Sequence, residues 1–361
     1  MEALRWLADD PAPRAAEALR SRATDPDPWV RAEALDALAP RVGGPLVGEA
    51  FDARGALGDA DPRVRLAALE LTLAQGGPER VPALIAALTD ASWSVRLAAA
   101  GHAARLRDRR VLAPLVLALN DARVRVAEAA GRALVGLTGI PFDPEAKVWR
   151  AWLEGDGKTF DPAQAPEVTL PPPPPLPPGS RTVETRFLGV PLRSRHMAFV
   201  LDGSGSMAAR LPDGRTRWAE VVEEFEKALG ALAGAHVNVA VFDETVEAAF
   251  PRALPLDAGR RETLLRFVRA RGPRGKTALY DGIAWGLADP EVDTLIVLSD
   301  GAPSAGAFFT KTDLLAEVRR ANRFRRARID VVAVGADQVA RRWRDALQQI
   351  AEESGGTVVT R

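Results

Sequence analysis

The hydrophobic pattern of the chain changes once along its length. Over the first 140 residues, Ala, Leu and Val recur at helical spacing in segments that resemble one another: DPDPWVRAEALDAL at 25–38, DADPRVRLAALELTL at 59–73, SWSVRLAAAGHAARL at 92–106 and DARVRVAEAAGRALVGL at 121–137. Each contains Val-Arg followed by an Ala/Leu-rich run, and Val30, Val64, Val95 and Val124 are separated by steps of 34, 31 and 29 residues. Three residues before each valine stands Asp27, Asp61, Ser92 or Asp121, a side chain able to accept the unpaired amides of a helix's first turn. Pro28 and Pro62 follow at the favoured first helical position. Between these helices lie VPALIAAL at 81–88 and VLAPLVLAL at 111–119, amphipathic segments too short to be stable alone. The period predicts helix pairs over 1–140 that bury their apolar faces on one another, an α-α solenoid. Arg31, Arg65, Arg96 and Arg125 after the valines read as a structural ladder pairing with neighbouring aspartates; the alternative is a row that reads a ligand.

After the last repeat comes GIPFDPEAKVWRAWLEGDGKTFDP, with Trp149 and Trp152 three apart on one helical face. This predicts a cap over 141–164 that covers the open end of the solenoid, with a peptide-binding aromatic patch as the alternative. Residues 165–180, which include LPPPPPLPPG, exclude helix and central strand because proline lacks the amide and fixes φ. They read as a stiff linker; recognition by an SH3 or WW type module is the other use of such a stretch.

From 181 to 361 the pattern becomes apolar runs alternating with amphipathic ones. Strands are expected at 196–202, 236–243, 294–300, 329–336 and 356–360, with RFLGVPLRS at 186–194 as an edge strand. Helices are expected near 217–233, 258–270, 278–288, 312–326 and 340–353. The fold class is therefore two-domain: an α-α solenoid, then an α/β doubly wound, mostly parallel sheet. In such sheets a site lies beyond the carboxyl ends of the strands.

Three polar groups fall there: Asp202-Gly-Ser204-Gly-Ser206 after the first strand, Thr277 before the helix TALYDGIAWGLA, and Asp300 at the end of TLIVLSD. Two carboxylates and three hydroxyls are hard oxygen donors suited to Mg²⁺ or Mn²⁺. Gly203 and Gly205 permit a tight path between the serines.

The repeat segment resembles the HEAT-like family, in the short variant associated with phycobilisome lyases. FVLDGSGSM, Thr277 and LSDG resemble the metal-ion-dependent adhesion site (MIDAS) of von Willebrand factor A, or integrin I-like, domains, which have a Rossmann-like sheet. That resemblance covers about 181–361. It implies that Ser204 and Ser206 bind the cation directly, that Asp202, Thr277 and Asp300 do so directly or through water, and that a partner's Glu or Asp completes the shell. Gly275-Lys276-Thr277 stands where the family commonly has Gly-Gly-Thr; Lys276 is expected to point to solvent.

Other uses of these residues fit less well. Gly203-x-Gly205-x-x-Ala208 loosely matches a dinucleotide fingerprint, but Asp202 would repel a pyrophosphate and Pro212 and Gly214 interrupt the chain before the helix. Gly275-Lys276-Thr277 follows a helical segment where a phosphate loop would follow a strand. A hydrolase nucleophile would have Gly two residues to either side, but Ser204 has Asp202 and Ser206 there, and Ser206 has Ser204 and Ala208. Of the three histidines, His102 lies in a repeat, and His196 and His236 begin strands at the end away from the site. The arginines at 319, 320, 323, 325, 326 and 328 read as a solvated face.

Composition narrows the rest. The chain has 361 residues, 47% hydrophobic and 27% charged, with 48 basic residues against 48 acidic, so no global field draws nucleic acid or anionic membrane. With no cysteine there is no disulfide framework, thiolate zinc site or cysteine nucleophile. No apolar stretch approaches the roughly 18 residues of a membrane span, and the N-terminus lacks a signal-peptide core. A cytoplasmic monomer is expected, or a secreted or periplasmic one if a leader was removed. The function expected is non-enzymatic: a scaffold that offers one protein surface on its repeats and grips an acidic residue of a partner through the cation. The alternatives are an accessory factor of an AAA+ ATPase or of metalloenzyme maturation, a use known among bacterial A-domain proteins, and a phycobilisome-lyase-like enzyme, which the lack of Cys and of a clustered acid-base pair opposes.

Overall fold

A computed structural model describes residues 6–7, 10, 12–41, 51–165, 185–300, 302–335 and 341–361. The chain divides into two compact units, Met1–Pro174 and Pro175–Arg361. Of the expected linker, only Ala165 lies among the described residues. No helix among them is long and apolar enough to cross a membrane.

The α-helices among the described residues of the first unit are α1 (Pro13–Arg22), α2 (Pro28–Leu38), α3 (Arg54–Leu57), α4 (Pro62–Gln75), α5 (Arg80–Ala87), α6 (Trp93–Leu106), α7 (Leu112–Ala118), α8 (Val124–Thr138) and α9 (Ala146–Glu154), and no strand is found among those residues. The four Val-Arg segments form α2, α4, α6 and α8, which pack in sequence, α2 on α4, α4 on α6 and α6 on α8. Asp27 and Asp61 cap their helices as expected, accepting from the amides of Trp29 and Arg63. Ser92 occupies the cap position without capping, its hydroxyl lying 3.0 Å from that of Ser94.

Asp121 departs from the expected role. Arg123 is the N-cap of α8, and Asp121 instead accepts from the Arg123 amide and from Arg96. It plays the part of Asp59 and Asp90, which likewise accept from the amide two residues on, of Asp61 and of Ser92. The last repeat is two residues shorter between this aspartate and its valine, so the sequence offset pointed to the wrong member of the turn.

Three of the four arginines form a ladder, while the Arg125 guanidinium lies over the Trp93 ring, 5.9 Å from its centroid. Arg31 pairs with Asp59 at 2.9 Å, Arg65 with Asp90 at 2.6 Å and Arg96 with Asp121 at 2.6 Å, each reaching the next repeat. Each also donates to two carbonyls of its own turn, for example Arg65 to those of Asp59 and Ala60. Beyond α8, Trp149 is fully buried and stands edge-on to Phe142 and Trp152. A Cβ on Gly157 would lie 2.7 Å from the Trp152 ring, so the ring packs against a residue without a side chain.

The second unit begins with a two-stranded hairpin, β1 (Arg186–Phe187) and β2 (Val190–Pro191). The edge strand expected at 186–194 is thus corrected to a separate hairpin: Leu188 and Gly189 both have positive φ and turn the chain back on itself before it can extend. The main sheet holds β3 (His196–Asp202), β4 (His236–Phe242), β5 (Val246–Ala248), β6 (Leu254–Pro255), β7 (Thr294–Ser299), β8 (Arg328–Ala333) and β9 (Val358–Thr360). Its order is β5-β4-β3-β7-β8-β9, with β5 and β6 antiparallel to β4 and every other pairing parallel. The short antiparallel strands were not evident in the sequence.

Successive strand residues alternate between two apolar layers. Phe199, Leu201 and Val239 pack against Trp218, Phe225 and Leu264 from α10 (Arg217–Ala231) and α11 (Ala258–Arg269). Val200, Val297 and Val331 pack against Ile283, Leu314 and Leu347 from α12 (Leu279–Ala288), α13 (Lys311–Asn322) and α14 (Arg341–Ser354). Helices on both faces leave the carboxyl ends of β3, β4 and β7 as an open edge of the sheet, where polar side chains collect.

Candidate metal centre

β3 ends on Asp202, whose side chain is buried. The chain must then leave the sheet sharply. Gly203 donates to the Phe242 carbonyl at the end of β4, and a Cβ there would lie 2.6 Å from Val241 Cγ1, so close approach excludes any side chain. The Ser204 amide donates to Asp202 Oδ1 at 2.9 Å, and the Ser299 hydroxyl to Oδ2 at 2.7 Å. Both carboxylate oxygens are fixed by neighbours on either side.

The serine hydroxyls converge. Ser204 Oγ lies 2.9 Å from Ser206 Oγ, and Ser206 Oγ donates to Asp300 Oδ1 at 2.6 Å. Asp202, Ser204, Ser206 and Asp300 therefore form one connected group. The loop before Thr277 is laced to this region through its backbone: Gly205 donates to the Gly275 carbonyl, Arg274 to that of Gly203 and Ala278 to that of Asp243. The Thr277 backbone is held from the other side by Ser304 and Ala305. Lys276 is exposed, as expected.

Two members of this group escaped the sequence reading. Ser299 orients Asp202 from the adjacent strand, and its place beside Asp300 was the available signal. Arg217, the first residue of α10, pairs through Nη1 with Asp300 Oδ2 at 2.8 Å, with side chains 7% and 0% exposed. A partner 83 residues away leaves no mark in local spacing. Gly335, with φ of 64°, leaves room for that guanidinium; an added Cβ would lie 2.2 Å from Nη2.

Burial pushes the Asp202 carboxyl up to about 6, against the pull of its bonds from Ser204 and Ser299, and the nearby Asp300 charge adds to the rise. Among the described residues no group of three or more His, Cys, Asp or Glu side chains is placed to hold a metal. The cluster at the sheet end has two carboxylates and otherwise hydroxyls, a donor set for a hard cation.

Other candidate groups serve other ends. His196 and His236 stack on each other, centroids 4.5 Å apart, at the opposite ends of β3 and β4 from Asp202. His102 lies 3.6 Å from Glu70 in the repeats, and burial lowers its pKa. The arginine run is not simply a solvated face: Arg319 pairs with Glu353, Arg328 with Asp330, and Arg325 donates to the Asp289 carbonyl.

Comparison with known proteins bears on both units. Residues 52–135 match the model of HEAT repeats, and residues 196–360 match that of the von Willebrand factor type A domain. No curated protein matches the chain. Among solved structures, a von Willebrand factor type A protein from Catenulispora acidiphila is 22% identical over 46% of this chain and 38% of its own, with a TM-score of 0.39. Proximal thread matrix protein 1 of the mussel byssus, in a form whose MIDAS motif is occupied by zinc, is 16% identical over 46% of this chain and 43% of its own, with a TM-score of 0.35. The PilB minor pilin of Streptococcus sanguinis is 15% identical over 48% of this chain and 58% of its own, with a TM-score of 0.35. The match spans less than two thirds of each of these chains. The protein thus carries HEAT repeats followed by a von Willebrand factor type A domain.

Proposed function

We propose that the type A domain grips an acidic side chain of a protein partner through a divalent cation, Mg²⁺ or Mn²⁺, while the HEAT repeats offer a second protein surface. The observation that carries this reading is the convergence of oxygens beyond β3 and β7. Adjacent ligands on an octahedron of radius about 2.1 Å stand roughly 3 Å apart. The contacts of Ser204 with Ser206, 2.9 Å, and of Ser206 with Asp300, 2.6 Å, are close to that spacing. Ser204, Ser206, Asp202, Thr277 and Asp300 would hold the ion.

When bound, the ion supplies the positive charge that attracts a carboxylate. The chain's own groups set the frame: Ser299 and the Ser204 amide orient Asp202, and the lacing of Gly203 and Gly205 to Arg274 and Gly275 fixes the hydroxyl loop. The three histidines lie elsewhere, and the hydroxyl–carboxylate contacts of Ser206 with Asp300 and of Ser299 with Asp202 are read as an arrangement of oxygen donors for the ion.

The test is titration of the full chain with Mg²⁺ and Mn²⁺ by calorimetry, followed by capture of partners from host lysate in Mg²⁺ or in EDTA. Wild type is expected to bind one ion and to capture an acidic partner only in Mg²⁺. Asp202→Ala is expected to lose both. Identical capture with EDTA or with Asp202→Ala overturns the reading.

A further inference from the structure

The Arg217–Asp300 pair places a cation of the chain's own beside the oxygens proposed to hold a metal. A buried guanidinium at the first residue of a helix is poorly placed for the helix itself, since the positive end of the dipole lies there. Asp300 Oδ2 at 2.8 Å and the space that Gly335 leaves hold it there. Asp300 is thereby shared: Oδ1 receives the Ser206 hydroxyl and Oδ2 the guanidinium.

We propose that Arg217 is a built-in countercharge that weakens binding of the divalent cation alone and makes it depend on an anionic ligand bound with it. This rests on the metal-grip reading and goes beyond it. Two ionised aspartates and one arginine leave the group with one net negative charge. A dication turns that to one net positive charge, and a carboxylate ligand then brings it to neutrality. Without Arg217 the dication alone would neutralise the two aspartates, and the call for an anion would weaken to that of the open coordination position. Arg217 is in this sense a positioning and tuning residue: it acts through Asp300 and through its field.

The consequence is a linkage between two ligands, and linkage is reciprocal. Mn²⁺ affinity in the wild type should rise in saturating acetate, and acetate affinity should rise in saturating Mn²⁺ by the same factor. Arg217→Gln should bind Mn²⁺ more tightly without acetate, by roughly tenfold or more, because a unit charge is removed from within a few ångströms of a dication at partial dielectric screening. Its coupling to acetate should fall several-fold below that of the wild type.

The experiment is a Mn²⁺ titration of the full chain with and without acetate at constant ionic strength, read by calorimetry and by the spin resonance of free Mn²⁺. Arg217→Gln and Arg217→Lys are compared with wild type, with circular dichroism as the check on folding. Tighter Mn²⁺ binding by Arg217→Gln together with lost acetate coupling supports the proposal. Unchanged affinity and coupling in that variant overturns it while leaving the metal grip standing, and failure of the wild type to bind Mn²⁺ removes both. If Arg217→Gln does not fold without metal, Arg217→Lys decides: its less well-seated charge should give Mn²⁺ affinity above the wild type, and equal or weaker affinity refutes the countercharge.

Discussion

The repeats and the type A domain both pair arginine with aspartate, and the surroundings make the two uses unlike. In the ladder, Arg65 and Asp90 keep 16% and 12% of their side-chain surface, and Arg65 also donates to two carbonyls of its turn. Water and neighbouring groups can take over if one partner is lost. At the sheet end, Arg217 and Asp300 keep 7% and 0%. A charge left without its partner there has less access to water. The same two residue types thus serve as a staple between repeats in one unit and as a charge setting in the other.

The largest expected effect lies at the buried pair. Removing one partner of a buried ion pair costs about 3–5 kcal/mol because the survivor remains desolvated. Arg217→Met in EDTA should therefore lower the unfolding free energy of the type A domain, read by urea denaturation, by that order. A change below about 1 kcal/mol would mean that Asp300 finds water, and the contrast with the ladder would collapse.

The next effect is a pH slope. The folded value of Asp202, about 6, lies above the ordinary 3.8, so this group favours folding most below that ordinary value and loses its contribution as pH rises through about 6. In EDTA, stability of the type A domain should fall between pH 4 and 7 by on the order of 2–3 kcal/mol from this carboxyl. Hydrogen exchange of β3 and β7 at several pH values measures it, with Asp202→Asn as reference. A slope unchanged by Asp202→Asn would assign it to another group.

A smaller loss is expected from Arg65→Ala. The side chain gives up a bidentate bond to Asp90 and two carbonyl bonds, all partly exposed. Roughly 1–2 kcal/mol is the scale for charged hydrogen bonds with water as the competitor. Chemical denaturation followed by Trp fluorescence reads it, and a loss as large as that of Arg217→Met would erase the distinction between the two kinds of pair.

What the sequence made legible follows the same division. The ladder was readable because Arg31, Arg65 and Arg96 repeat with the valines and their partners lie 25 to 28 residues on, within one period. The strand ends at Asp202 and Asp300 were readable because fully apolar runs stop there. Arg217 was not, since only the sheet order brings α10 to the end of β7. The hairpin at β1 and β2 was misread as an edge strand because Leu188 adopts a left-handed conformation, φ of 45°, that its residue type does not announce. Counting back from Val124 points to Asp121 as a cap, but the short last turn shifts the register and places Arg123 there.

The smallest effect has the opposite sign to that of Asp202. Burial pushes Asp59 up, but the Arg31 guanidinium and the Asp61 amide outweigh it and hold its pKa below the ordinary carboxylate value. The Arg63 guanidinium does the same for Asp61, against burial. A lowered folded value contributes stability that is present above pH 3.8 and is lost as pH falls through the folded value. Because these carboxylates are partly exposed, each contributes under about 1 kcal/mol. The repeats should therefore weaken on acidification below about pH 4, the range in which Asp202 ceases to oppose folding of the other unit. Hydrogen exchange of α2 and α4 between pH 5 and 3, in wild type and Asp59→Asn, separates the two units within one chain. The variant should lose less protection than wild type as pH falls, and parallel losses would show that the ladder does not set the acid limit of the repeats.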